Sequence, residues 1–175
     1  IIVVNNNSVD KTEEIARTFN VRVITESMQS VVAARDRGLR AARGDIVVGA
    51  DCDCVYPPHW LKTIYAEFAD PKTGAAGGPA IAEKIPYWAY LTYKLCFNMV
   101  KFLNKITGQV LYLGGFNLAF RRNTFLTLGG YHTYLDFGGD ELDVLNRLKK
   151  VGRIVFQTEA YMFVSTRRYR VGFIK

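Results

Sequence analysis

Two carboxylates one residue apart, Asp51 and Asp53, follow the apolar run Ile46-Val47-Val48-Gly49-Ala50. Polar groups just past a buried strand stand at its carboxyl end, which is where open α/β sheets bind ligands. In an extended segment residues i and i+2 lean to the same side, so these two side chains are expected to converge while Cys52 points away. Hard anionic oxygens in that arrangement suit a hard divalent cation, and such a cation suits a diphosphate. A second acidic pair, Asp140-Glu141, opens a segment with helical spacing. A carboxylate there can serve as a general base, or it can merely complement the helix dipole. Neighbours on a helix point about 100° apart, so only one of this pair is expected to enter a cleft. Cys52-x-Cys54 with His59 has the look of a zinc site, but no second pair of soft ligands accompanies it.

The elements that must position these groups follow from periodicity. Ile1 to Val4 reads as a strand that empties into the turn formers Asn5 to Asp10, and Asp10 with Glu13 reads as the N-cap of a helix reaching Phe19. Val21 to Ile24 is the next strand. A helix over 29–43, stopped by Gly44, then leads into the strand before Asp51. Strand, helix, strand, helix, strand implies parallel strands joined by right-handed crossovers. Pro57-Pro58 opens a helix expected to carry Trp60, Leu61, Ile64, Tyr65 and Phe68 on one core-facing side, and Gly74 to Ile81 reads as a glycine-rich strand. Ile85 to Ile106 is a long apolar helix interrupted by Lys94, Lys101 and Lys105; it suits an amphipathic helix on the sheet, or an interfacial contact. Gly114-Gly115 feeds a short strand ending in Arg121-Arg122. After Gly138-Gly139 the acidic helix presents Leu142, Leu145, Leu148 and Val151 as its inner face, and Val155-Phe156 makes a further strand.

A chain of 175 residues, 49% hydrophobic and 13% aromatic, is long enough for one domain with a sizeable core, here taken as 1–175. The net charge of +7 implies an anionic partner. Nucleotide diphosphates and anionic lipid surfaces qualify. Nucleic acid does not, because the aromatic residues follow core spacing instead of interleaving with basic ones. Three cysteines make no disulfide framework and fit a reducing compartment, and no apolar run reaches transmembrane length.

Five motifs in order carry a resemblance: Asn5-Asn6-Asn7-Ser8-x-Asp10-x-Thr12, Ala34-Arg35-Asp36-x-Gly38-Leu39, Asp51-x-Asp53, Gly115-x-Asn117-x-Ala119-x-Arg121-Arg122, and Gly139-Asp140-Glu141-x-Asp143-x-x-x-Arg147-Leu148. Together they resemble family 2 glycosyltransferases of the GT-A fold, an α/β fold with a mostly parallel central sheet flanked by helices. The resemblance implies metal-dependent transfer of a sugar, of the hexosyltransferase type, from a nucleotide-sugar to an acceptor hydroxyl with inversion at the anomeric carbon. It places Asn5, Asn6, Arg35 and Asp51 at the nucleotide-sugar and Asp53 on Mn2+ or Mg2+. Gly115, Asn117 and Arg121 fall on the acceptor side, and Glu141, with Asp140 beside it, falls at the catalytic base.

Two positions depart from the family pattern. Asn5 replaces an aspartate, and the usual Glu-Asp pair is reversed as Asp140-Glu141. The reversal keeps an alternative in view, a silent GT-A-like module that binds nucleotide-sugar without turnover. Nucleotidyl transfer is disfavoured, because no glycine-rich triphosphate loop with a lysine lies near the first strand. The family begins with a strand and helix ahead of the one that opens here, so its first strand is expected to be missing from this chain. The implied acceptor is a glycan or a lipid-linked acceptor. The implied setting is cytoplasmic, peripheral to or anchored in the inner face of the plasma membrane, with Arg167-Arg168-Tyr169 and the lysine-bearing helix facing anionic lipid.

Overall fold

The structure is a computed structural model, and it describes residues 1–82, 86–135 and 139–165. Ile85, Gly138 and the basic tail from Arg167 lie outside the described residues. The strands are β1 (Ile2–Asn5), β2 (Arg22–Thr25), β3 (Ile46–Val48), β4 (Cys54–Val55), β5 (Thr73–Gly77), β6 (Ala80–Ala82), β7 (Leu118–Arg121), β8 (Arg153–Phe156) and β9 (Met162–Val164). The helices are α1 (Thr12–Arg17), α2 (Val31–Ala41), α3 (Trp60–Ala66), α4 (Tyr87–Thr107), α5 (Arg122–Thr127) and α6 (Asp140–Leu148).

The strands form three sheets, β1-β2, β3-β7-β5-β8 and β4-β9-β6. The expected mostly parallel sheet is instead mixed. β1 and β2 pair in parallel, as do β5 and β8, but β7 runs antiparallel to both β3 and β5. The crossover argument holds only where a helix lies back across the sheet between two strands. α1 does this between β1 and β2, and α2 packs on β1 as well. The chain between β5 and β7 passes through β6 and α4, whose large apolar residues are left exposed.

The central sheet is covered on both faces. On one, Leu118 and Phe120 of β7 meet Val32 and Leu39 of α2, Phe125 of α5, and Val144, Leu145 and Leu148 of α6. On the other, Ala76 and Ala119 meet Trp60, Ile64 and Phe68. Alternation along the strands produces this division, Ala119 facing opposite to its neighbours Leu118 and Phe120. Helical spacing sharpens two expectations from the sequence. Trp60, Ile64 and Phe68 recur every four residues and are buried, whereas Leu61 and Tyr65, the next stripe round, are exposed. In α6 the inner face is Val144, Leu145 and Leu148; Leu142 is rotated off that face and exposed, and Val151 is exposed because the helix ends at Leu148 and leaves it in the following turn. α1 begins at Thr12 and ends at Arg17, short of Phe19. Asp10 accepts from the Thr12 N–H and hydroxyl, and Glu13 turns away to Asn5 and Arg17.

Asn117, fully buried, ties the layers together. Its amide nitrogen donates to the carbonyls of Gly78 and Ala160 at 3.1 and 2.8 Å, and its oxygen accepts from the Trp60 indole at 2.8 Å. Removing the amide strands three buried polar groups, each costing about 1–3 kcal/mol when left unpaired. Asn117→Ala is therefore expected to lower the urea midpoint sharply, read by circular dichroism. An unchanged midpoint would mean that these bonds add nothing.

Candidate active site

The loop after β1 is stapled by its own asparagines. Asn5 is buried, donates to Glu13 and accepts from the Ser8 N–H. Asn6 donates to the Glu26 and Met28 carbonyls and accepts from the Ser30 N–H, and Asn7, at φ 56°, donates to the Ser27 carbonyl. Asn6 thus spends its side chain on joining the β1 loop to the start of α2. Ser30 caps that helix by accepting from the Ala33 N–H at 3.1 Å. Five residues on, about 7.5 Å along the axis, α2 carries Arg35. Arg35 lies three residues from Val32 and four from Leu39, on the rim of the buried face.

Arg35 is the hub. Its guanidinium is 2.9 Å from Asp140, 3.7 Å from Asp51 and 3.9 Å from Glu141, and its side chain is only 18% exposed. Burial pulls the Arg35 pKa down, but Tyr131, Asp51, Asp140 and Glu141 outweigh it and the net movement is upward. It stays charged. Glu141 is held by both oxygens, one accepting from the Gly115 N–H at 2.8 Å and the other from the Tyr112 hydroxyl at 2.9 Å. Burial, then the nearby Glu141 carboxylate, pushes the Tyr112 pKa up, so its hydroxyl keeps the proton it donates. Asp140 and Glu141 do not diverge as expected. The longer glutamate side chain reaches over to the same guanidinium that Asp140 meets directly.

Asp51 and Asp53 do follow β3, but on a turn closed by the Cys54 N–H to the Asp51 carbonyl, so the alternation of an extended segment does not govern them. The turn is braced by Tyr56, which accepts from the Asp51 N–H at 2.9 Å and donates to the Phe116 carbonyl at 2.9 Å. Neither Tyr56 nor Tyr112 was singled out by sequence. Tyr112 immediately precedes the Leu113-Gly114-Gly115 turn, and that adjacency was the available signal.

Two acceptor-side candidates stand elsewhere. Asn117 is occupied within the core. Arg121 pairs with Ile46 in the β3 register, at the end of the strand away from Asp51, and donates to the carbonyls of Thr73, Phe68 and Asp70. Arg121 closes the far edge of the sheet because β7 runs antiparallel to β3. Gly115 alone of that trio reaches the cluster. A Cβ there would lie 2.6 Å from the Arg35 guanidinium.

The family model of glycosyl transferase family 2 matches residues 1–129. The chain belongs to that family. Its structural neighbours carry the GT-A fold. A mannosyltransferase from Pyrobaculum calidifontis, in complex with GDP-Man and Mn2+, superimposes with a TM-score of 0.75 at 21% identity over 97% of this chain and 49% of its own. Glucosyl-3-phosphoglycerate synthase from Mycobacterium tuberculosis, with Mn2+, UDP-Glc and phosphoglyceric acid, gives 0.67 at 20% identity, covering 95% and 60%. A curated relative, the glucosyl-dolichyl phosphate glucuronosyltransferase of Haloferax volcanii, is 27% identical over 113 residues, 62% of this chain. Those residues are 36% of that relative's length, so the chain spans roughly a third of it.

The donor set at the family's metal position fits a hard cation. Asp51 and Asp53 are half-buried carboxylates, and the neighbouring Cys54 thiol is pushed up to about 11 by burial and then by those two aspartates, so it offers no thiolate. No group of three or more potential ligands occurs among the described residues. Mg2+-like ions are commonly held by one or two carboxylates, with substrate phosphates and water completing the shell.

Gly115→Ala tests the hub without removing any charge. The added methyl displaces Arg35 from the three carboxylates; the melting temperature is expected to fall, because a mostly buried ion cluster is disrupted, and nucleotide-diphosphate affinity, measured by calorimetry well below that temperature, to fall about tenfold. Unaltered affinity would dissociate the Arg35 position from donor binding.

Proposed function

We propose that this chain carries the catalytic unit of a metal-dependent inverting glycosyltransferase of the hexosyltransferase type, moving a sugar from a nucleotide-sugar to a hydroxyl of a glycan or lipid-linked acceptor. The observation that carries the reading is the Arg35 guanidinium, which meets Asp51 after β3 and Asp140 and Glu141 at the start of α6. The ligands named for the neighbours, GDP-Man, UDP-Glc and UDP-GlcNAc, support the donor class.

In this reading the loop after β1, its shape set by the internal bonds of Asn5 and Asn6, and Arg35 flank the nucleotide end, and Asp51 approaches the ribose. Asp53 is the chief protein ligand for Mn2+ or Mg2+, an ion that when bound neutralises charge on the diphosphate. Glu141 takes the acceptor's proton while the acceptor oxygen attacks the anomeric carbon opposite the diphosphate. The new bond forms as the old one breaks, which inverts that carbon. Tyr112 and the Gly115 N–H set the direction of the Glu141 carboxylate before the acceptor arrives, and this pre-orientation replaces a bimolecular search. Asp140, buried against Arg35, fixes the guanidinium and the start of α6. A cytoplasmic setting, peripheral to the inner face of the plasma membrane, agrees with three unpaired cysteines and the +7 charge.

Turnover of a nucleotide-sugar panel with Mn2+ or Mg2+ separates this reading from a silent binding module, which would bind the donor and release nothing. Glu141→Gln is expected to lower kcat by roughly 10²–10⁴-fold. Asp140→Asn should act mainly on donor affinity. The reverse pattern, turnover lost with Asp140→Asn and kept with Glu141→Gln, exchanges the two roles. Asp53→Ala is expected to abolish the gain in nucleotide-diphosphate binding that Mn2+ confers in calorimetry. Full retention of that gain would place the ion elsewhere.

A further inference from the structure

We propose that α4 seats this chain on an anionic membrane surface, lying in the plane of the lipid headgroups. α4 runs for 21 residues, about 30 Å at 1.5 Å per residue, and contains no aspartate or glutamate. Along it Trp88, Leu91, Leu95, Met99, Phe102 and Ile106 recur at intervals of three and four and form one exposed stripe, Leu95 being 71% exposed and Phe102 62%. This is the reverse of an ordinary amphipathic helix on a sheet, which turns such a stripe inward. The side facing the fold is a different one, where Phe97, Val100 and Asn104 are half-buried and the Phe97 ring lies 6.2 Å from Phe156.

Lys94, Lys101 and Lys105 fall within about 40° of one another on the helix, between the fold-facing side and the apolar stripe. Lys94 and Lys101 lay their ammonium groups 5.8 and 6.0 Å from the Tyr90 and Phe97 rings. Apolar residues at the bottom, lysines along the flank and no acid anywhere is the chemistry that takes hydrocarbon below and lipid phosphate beside it. No helix among the described residues is long and apolar enough to cross a membrane, and the proposed contact is with the membrane surface. A second copy of the chain fits less well, because packing α4 against α4 brings one basic flank into the same interface as the other with no carboxylate to answer it.

The inner side of α4 roofs an apolar cavity of about 250 Å3, lined in part by Phe97, Val100, Leu113, Phe116 and Tyr112. Tyr112 is the residue whose hydroxyl holds Glu141. If the proposed transfer is correct, a membrane-held acceptor would meet the base from this side. The docking itself does not depend on that.

The test is co-sedimentation of the whole chain with vesicles of phosphatidylcholine alone and of phosphatidylcholine mixed with phosphatidylglycerol, at low and high salt. Binding is expected to the mixed vesicles at low salt and to fall as salt rises. Substituting Lys94, Lys101 and Lys105 by glutamate together is expected to weaken it by at least a hundredfold, since each basic residue near such a surface contributes about 1 kcal/mol, or a factor of five. Leu95→Glu with Phe102→Glu, both at exposed positions, should abolish it while melting temperature and Mn2+–nucleotide binding stay as in the parent. Equal binding to both vesicle types overturns the proposal, as does parent binding insensitive to salt. So does a parent that ignores vesicles yet forms a dimer, seen by light scattering, that the Leu95→Glu/Phe102→Glu variant splits. Loss of turnover in soluble assays with vesicle binding intact would fault the enzymatic reading alone.

Discussion

A guanidinium largely removed from water is tolerable only where carboxylates and hydrogen bonds answer it, and much of this site follows from how Arg35 meets that demand. Its principal partner, Asp140, is 105 residues away in sequence, so one charge on α2 dictates where α6 begins. The same group fixes the turn after β3 through Asp51 and requires a bare backbone at Gly115. Formal charge also matters. Arg35 stands against Asp51, Asp140 and Glu141, one positive charge to three negative, which leaves an excess of two negative charges around the guanidinium. A divalent cation, where one is bound, would offset that excess.

The supports around the hub share its logic. Asp36 accepts from the Tyr131 N–H at 3.1 Å, and Arg147 donates to the carbonyls of Leu128 and Gly130, so the turn after α5 is pinned from α2 and α6 together. Charged side chains bonded to backbone in this way hold geometry more than they add stability. Several residues of the family motifs, Asp36, Asn117, Arg121 and Arg147, belong to this framework. Their bonds explain why a pattern built for catalysis contains so many positions remote from it.

Most of the element order was legible in the sequence, because Gly44, Pro57-Pro58 and Gly139 punctuate segments whose periodicity is clear. The failures have physical causes. Periodicity reports that a helix has an apolar side without saying what covers it, so α4 could not be told from a sheet-covering helix until its stripe was found exposed. The direction of β7 was hidden because it depends on where the chain emerges after α4. At the site, charged residues at strand and helix ends were easy to mark as candidates. Which of them meet one another was not, since Arg121 and Arg35 look alike in sequence and only the antiparallel register of β7 sends Arg121 to the opposite edge. Tyr56 and Tyr112 were missed for a related reason: a tyrosine's role rests in its hydroxyl's partner, and that partner is distant in sequence.

From beside Arg35 into the central sheet, main chain packs directly on main chain. A Cβ on Gly49 would overlap the Gly115 carbonyl, one on Gly77 would overlap the Asn117 carbonyl, and one on Gly78 the Ala160 carbonyl. Three strands' worth of backbone are pressed together there with no side chain between them, and a surface made that way has nothing to vary. Any side chain added at these three glycines would have to move main chain, so variety in the chemistry around Arg35 is left to the loop after β1, the turn after β3 and the segment around Tyr112.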